Sequence, residues 1–279
     1  MTAAAAPGDG TARLSVNEAT VERWSLREAV DGCARHGIAY VGPWRHKVEE
    51  VGLAAAGRLL RDAGVAPSSL CRGGWFPAAS ESARRERVED NLRAVEEAAA
   101  LGAEVLVLVC GPAADRDIDG AREMVAEGIA AIVPRARSAG VRLAIEPLHP
   151  MFAADRSVVV TLAEALDLAA RFPAPTVGVA IDVYHVWWDP AVYAQIERAG
   201  SDGRILGFHV SDWVAPPPDW LRGRGMMGDG VIELRRLRTA VDRAGYTGPI
   251  EVEIFNDALW DRPGDEVLAL TRERFAAHV

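Results

Sequence analysis

Four residues stand where a strand should end, and together they make a ligand set for one hard divalent cation. Glu146 closes the run Val141-Arg-Leu-Ala-Ile-Glu146, and Asp182 closes Val177-Gly-Val-Ala-Ile-Asp182. His209 closes Ile205-Leu-Gly-Phe-His209, and Glu253 closes Pro249-Ile-Glu-Val-Glu253. A charge at the tip of an apolar strand is expensive to bury unless something positive meets it. Pro147 has no N–H for a sheet ladder, so its strand should stop at the acid. One such acid alone reads as a strand-end charge facing water or an arginine. Four at equivalent tips, each about one strand-helix unit after the last, argue for a shared centre. Three carboxylates and an imidazole suit one divalent metal ion, Mn²⁺ first, with Mg²⁺, Co²⁺ or Zn²⁺ as alternatives.

The elements that must position these groups are marked by a recurring sign: an amphipathic stretch, then glycine, then a β-rich run. It occurs at Gly37, Gly64, Gly102, Gly140 and Gly245, where glycine can take the left-handed position after a helix. Ser25-Leu-Arg-Glu28 and Thr161-Leu-Ala-Glu164 read as capping boxes at helix starts. The spacing predicts strands near 13–17, 38–42, 68–73, 104–109, 142–146, 177–182, 205–210 and 249–254. Helices are predicted near 25–36, 51–63, 81–101, 121–138, 161–172, 191–199, 232–244 and 265–276, with a kink at Pro134. Strands alternating with helices in this number imply an α/β fold, a single (β/α)8 TIM barrel, with the metal site at the C-terminal ends of strands 5–8. A doubly wound open sheet is the alternative, but no glycine-rich phosphate fingerprint follows the first strand. Residues 1–12 read as a disordered N-terminal tail and 13–279 as one barrel domain.

Composition narrows the function. The 279 residues carry a net charge of −9, which works against a nucleic-acid partner. No apolar run reaches the roughly 18 residues of a membrane helix, so no membrane partner is expected. Three cysteines without CxxC spacing read as buried filler and point to a cytoplasmic protein. Lys47 is the only lysine, so Schiff-base chemistry would have to use it or nothing. Aromatic residues gather in the loops of the expected barrel mouth: Trp44, Trp75, Phe76, Tyr184, Trp187, Trp188, Trp213 and Trp220. They suit the wall of a sugar pocket, Trp75 foremost, and would serve a homo-oligomer interface equally well. Phe255 and Trp260 read as packing, and Arg45 and His46 as surface.

Ile145-Glu-Pro-Leu-His149, Ile181-Asp-Val-Tyr-His185, Phe208-His-Val-Ser-Asp212 and Val252-Glu253 resemble the xylose isomerase-like TIM-barrel superfamily. Within it the chain is most similar to the sugar phosphate isomerase/epimerase group of ketose 3-epimerases, inosose isomerases and dehydratases. The resemblance runs from about residue 13 to 270. It implies Glu146, Asp182, His209 and Glu253 as metal ligands, with Glu146 and Glu253 also exchanging protons with substrate. It implies substrate contacts for His185 and for Arg224, the latter in Arg224-Gly-Met-Met-Gly-Asp-Gly230. Met227 stands where that loop usually carries proline. His149 stands where epimerases commonly have asparagine, and Phe152 replaces an acid that some of them use. His149 is thereby a candidate substrate contact or extra acid. Asp212 reads either as a partner orienting His209 or Arg224, or as a solvated loop acid.

The expected reaction is isomerisation or epimerisation of a small keto-sugar, aldose or cyclitol by proton transfer next to a carbonyl, through an enediolate held at the metal. The alternative is a lyase or dehydratase, in which the same enediolate expels a leaving group protonated by His149, as in inosose dehydration or cleavage of a 3-keto-glycoside. A remote alternative is DNA repair of the endonuclease IV type, which needs a metal cluster with further histidines.

Overall fold

The computed structural model describes residues 10–279, so most of the expected N-terminal tail (residues 1–9) lies outside the described residues. Nine parallel strand segments form one nearly closed sheet: β1 (Leu14–Asn17), β2 (Tyr40–Gly42), β3 (Ala66–Pro67), β4 (Leu70–Gly74), β5 (Val105–Val109), β6 (Arg142–Glu146), β7 (Val177–Asp182), β8 (Ile205–Val210) and β11 (Ile250–Val252). Two short segments outside it, β9 (Asp212–Trp213) and β10 (Arg224–Gly225), pair antiparallel over the rim. Around the barrel the order is β3-β2-β1-β11-β8-β7-β6-β5-β4. Because β3 and β4 are two pieces of one barrel strand, eight strands surround the axis, as the alternation predicted. Pairing of β2 with β3, followed by a bridge from Trp44 to Cys71, brings the two sheet ends together.

Helices α1 (Leu26–Arg35), α2 (Arg45–Val51), α3 (Leu53–Ala63), α4 (Glu81–Leu101), α5 (Ile118–Ala139), α6 (Leu162–Ala169), α7 (Val183–Val186), α8 (Val192–Ser201), α9 (Leu234–Arg243), α10 (Asp257–Trp260) and α11 (Gly264–His278) connect the strands. Both expected capping boxes form, at Ser25 with Glu28 and at Thr161 with Glu164. The five punctuating glycines all have positive φ. The short helices α2, α7 and α10 were not foreseen, because one turn or two of helix leaves no readable period. Pro134 lies within the continuous span of α5.

The strands read as nearly uninterrupted apolar runs because both faces are covered, by helices outside and by the lumen within. All five residues of β5 and all six of β7 are buried. Side chains two apart share a face, so Ala144 lies beneath Glu146, Ala180 beneath Asp182 and Glu251 beneath Glu253. Ala144 and Ala180 pack with Val105 and Leu206 in a small apolar layer of their own. Among the described residues no helix is long and apolar enough to cross a membrane.

Candidate metal centre

The four strand-tip residues meet. One ligand atom each from Glu146, Asp182, His209 and Glu253 lies within 4.8 Å of the others, and all four residues are buried. Parallel pairing sets this up: Asp182 stands opposite His209 across β7 and β8, and Glu251 stands opposite His209 across β11 and β8. Glu253 lies one residue past β11, its N–H bonded to the Val210 carbonyl at 3.1 Å. The expectation of a strand to residue 254 is thus corrected to one ending at Val252, because the ladder stops where the chain turns toward α10.

Asp182 divides its carboxylate. Oδ1 accepts from the Tyr184 N–H at 2.9 Å and caps α7, while Oδ2 accepts from Arg224 at 2.8 Å. Arg224 Nη1 also donates to Glu253 Oε2 at 3.1 Å and to the Glu253 carbonyl at 3.2 Å. Its guanidinium lies over the faces of Tyr184 and Phe255, a stacked and forked position that lysine would not reproduce.

His185 Nδ1 faces the His149 backbone N–H at 3.1 Å, and its Nε2 is 3.6 Å from Asp182 Oδ2. Nε2 is also 3.1 Å from Arg224 Nη2. Burial, with the Arg224 charge assisting, pushes His185 down to about 3 against the pull of Asp182, so the ring is neutral.

The charges converging here fit a cation. Burial favours a neutral Glu253 and the nearby Glu146 adds to that, so its carboxyl is pushed up to about 8 despite Arg224. Burial opposes a charged His209, but Glu251, Glu146 and Glu253 outweigh it and raise the ring to about 10. Asp182, although buried, is held below its usual range by Arg224, His185 and His209. His209 Nδ1 and Glu146 Oε1 are 3.2 Å apart, yet neither buried atom has a well-directed hydrogen-bond partner. That spacing suits two ligands sharing a cation better than a donor and its acceptor. An acid-rich set with one imidazole matches the donor preference of Mn²⁺, Mg²⁺ and Co²⁺, and tolerates Zn²⁺.

Beside these groups lies a cavity of about 400 Å³. His185 and Arg224 form part of its wall, with Trp75 and Phe152 elsewhere on it. Trp75 holds a left-handed backbone, φ 58°, at roughly 1–3 kcal/mol for a bulky residue. Its N–H is fixed to the Val109 carbonyl at 2.8 Å. Gly111 makes this possible, since a Cβ there would sit 2.8 Å from Trp75 Cα.

Other expectations change. The His149 ring is not on the cavity wall: Nδ1 accepts from the Met151 N–H at 3.2 Å, and the ring packs against Trp188 and Trp213. The main chain at that point turns into a short 3-10 helix and carries the side chain with it. Phe255 and Trp260, read as packing, do line the cavity, as does His46; Tyr184, Trp187 and Trp213 pack into the core instead, and Trp188 packs against His149. Arg45 is bound to Asp90 and Glu97. Asp212 orients neither His209 nor Arg224. Its buried carboxylate takes the N–H groups of Trp213, Gly228 and Ile232 at 2.8, 2.9 and 3.0 Å, tying down the loop in which Met227 replaces proline. Lys47 donates to the carbonyls of Glu22 and Trp24 and does not itself line the cavity.

Sequence reading also passed over Glu251, Arg72 and Arg156. Glu251 lies in the barrel lumen and accepts from Asn17 and Ser68, both at 2.6 Å, and from Ser69 at 3.1 Å. Arg72, near the end of a predicted strand, could have been found by the rule that found the acids; Arg156, in a long loop, carried no signal.

A model of the xylose isomerase-like TIM barrel matches residues 30–275. The crystal structure of protein SMc04130 from Sinorhizobium meliloti 1021 superposes with a TM-score of 0.93 at 53% identity, covering 95% of this chain and 98% of that one. Inosose isomerase from Bacillus velezensis is 24% identical over 280 residues, 96% of this chain and 97% of its own. A 3-dehydroshikimate dehydratase from Pseudomonas aeruginosa is 29% identical over 195 residues, 66% of this chain but only 29% of that protein's length.

Proposed function

The chain belongs to the xylose isomerase-like TIM barrel family, and from that premise we propose that it is a divalent-metal-dependent isomerase or epimerase of a small keto-sugar, aldose or cyclitol. The observation that carries this reading is the convergence of Glu146, Asp182, His209 and Glu253 within 4.8 Å beside a cavity of about 400 Å³. These four residues would hold the ion, Mn²⁺ first among the candidates. When bound, a divalent ion there supplies Lewis acidity, making the C–H next to a substrate carbonyl easier to deprotonate. Glu146 and Glu253 supply carboxylates on two different strands; one removes the proton, giving an enediolate, and the other returns it. Return to the opposite face of the same carbon epimerises, and return to the neighbouring carbon, with the hydroxyl proton passing to the former carbonyl oxygen, isomerises. General acid–base assistance of this kind contributes roughly 10²–10⁴-fold.

Arg224 helps keep Asp182 ionised and orients both Asp182 and Glu253. His185, neutral and held by the His149 backbone, is placed to hydrogen-bond a substrate oxygen from the cavity wall. The aromatic wall of Trp75, Phe152 and Trp260 favours the apolar faces of a ring.

The test is wash-in of solvent deuterium into a panel of keto-sugars and inososes in the presence of Mn²⁺. Exchange should vanish in Glu146→Gln and in Glu253→Gln; wild-type exchange in either would remove that residue from proton transfer.

A dehydratase is the second reading, favoured by the likeness to 3-dehydroshikimate dehydratase. His149 does not face the cavity as its leaving-group acid, whereas His46 does. A product lighter by one water would identify this reaction, since isomerisation conserves mass. The endonuclease IV reading has little support, because among the described residues only one group of metal-ligand type assembles and the net charge is −9.

A further inference from the structure

In a chain of net charge −9 the cavity beside the metal centre is lined by four arginines, Arg72, Arg156, Arg222 and Arg224, against one acid, Glu22. Two of the four are accounted for. Arg224 is bound to Asp182 and Glu253, and Arg222 is exposed beside Asp257 at 3.4 Å. Arg72 and Arg156 are different. Arg72, half-buried on β4, lies with its guanidinium carbon over the Trp75 ring at 4.0 Å and has no carboxylate partner among the described residues. Arg156, half-buried in the loop before α6, has a buried Nε without a hydrogen-bond partner, and among the described residues its one ion-pair acid, Asp155, is 3.8 Å away.

Two half-buried guanidinium groups facing one cavity repel each other and have lost part of their hydration. Burial lowers the pKa of Arg72, and the charges of Arg156 and Arg45 lower it further. Such an arrangement is costly in the free protein unless an anion completes it. A guanidinium fixed on an aromatic face keeps its planar fork directed, which suits the paired oxygens of a carboxylate or phosphate better than a lone hydroxyl. The charges of the metal centre do not absorb the surplus. Three carboxylates there would meet a divalent ion and Arg224.

We propose that the substrate carries an anionic oxyacid group, a carboxylate or a phosphate, gripped by Arg72 and Arg156 while the rest of the molecule lies against the His185–Arg224 wall. This rests on the reading of the cavity as the substrate site. It narrows the substrate class from neutral sugars to acidic polyols or their phosphate esters.

The test compares probes that differ in one group, by calorimetry at low salt, with the protein both stripped by EDTA and reloaded with Mn²⁺. Sorbitol is set against gluconate and sorbitol 6-phosphate, and myo-inositol against quinate and myo-inositol 1-phosphate. At least one anion should bind about tenfold or more tightly than its neutral partner. The preference should weaken as salt rises and fall below about threefold in Arg72→Gln and in Arg156→Gln. Its persistence without metal keeps the arginines distinct from ligation by the ion. Whichever anionic series shows the preference identifies the group as carboxylate or phosphate. Equal binding of neutral and anionic probes, no binding of any probe, or an undiminished preference in both variants overturns the proposal. An arginine-dependent preference without deuterium exchange would instead sink the isomerase reading alone. Exchange on neutral sugars with no anion preference would sink this proposal alone. Thermal melts of both variants check that they fold.

Discussion

Around the barrel rim, β6 and β7 end in Glu146 and Asp182, His209 is the last residue but one of β8, and Glu253 lies just past β11; these groups crowd one another. On the other side, β1, β2, β4 and β5 end in Asn17, Gly42, Gly74 and Val109, none of which enters that cluster. The first half instead supplies small or neutral groups that make room and donate hydrogen bonds. Asn17, Ser68 and Ser69 donate to Glu251 one layer below the cluster, and Gly42 leaves space for it. The difference teaches where a buried charge can be tolerated. The acids of the cluster lie beside His209 and Arg224. The first half meets Glu251 of β11 with neutral donors, and its own buried acid, Glu18, gives up its charge.

The division can be broken most directly at the ligands. Asp182→Asn should lower activity by roughly 10²–10⁴-fold and reduce the metal content of the purified protein, with a melting temperature close to wild type. An equally active variant with full metal content would show that the second half is not the chemical half.

Glu18, just past β1, sharpens the contrast through pH. Burial pushes its carboxyl up to about 8, despite the Trp44 N–H at 2.7 Å and the charge of Lys47. Its folded value lies above its unfolded one, so this contribution to stability is fully present below about pH 4.5 and is lost as pH rises through about 8. Glu18→Gln should therefore melt like wild type near pH 4.5 and be more stable by roughly 2–4 kcal/mol at pH 9. Parallel melting curves at both pH values would mean that Glu18 is charged in the folded protein.

A smaller effect is expected at Gly42, where an added Cβ would lie 2.3 Å from Glu251 Oε1. Because three hydrogen bonds fix that carboxylate, Gly42→Ala should destabilise by about 1–3 kcal/mol in denaturant unfolding. A neutral outcome would mean that the polar lumen of the first half is loosely packed. Least of all, Thr161→Ala removes the cap of α6, whose Glu164 N–H bonds the Thr161 hydroxyl at 3.1 Å. It should cost about 1 kcal/mol and leave deuterium exchange unchanged; altered exchange would tie the outer helices to the site more closely than the contrast allows.

Much of this could be read from the chain itself. Helix ends at Gly64, Gly102 and Gly140 and caps at Ser25 and Thr161 are local events, decided by backbone freedom and nearby hydrogen bonds. The strand-tip position of Glu146, Asp182 and His209 follows equally from where an apolar run stops. Distances across the barrel are not local. That His149 would turn into a tryptophan cluster, that Phe255 and Trp260 would face the cavity, and that Asp212 would clamp a loop depended on how the rim loops pack over one another.

The sequence by itself determined the alternation of strands and helices and which residues end the strands, because period and punctuation are properties of neighbouring residues. Tertiary structure alone decided which charges meet. Arg224 reaches Asp182 from 42 residues away, while Arg72 and Arg156, on separate segments, face one cavity, Arg72 with no carboxylate partner among the described residues and Arg156 with Asp155 at 3.8 Å. Electrostatic partnership falls off with distance in space rather than along the chain, so closure of the barrel had to come first.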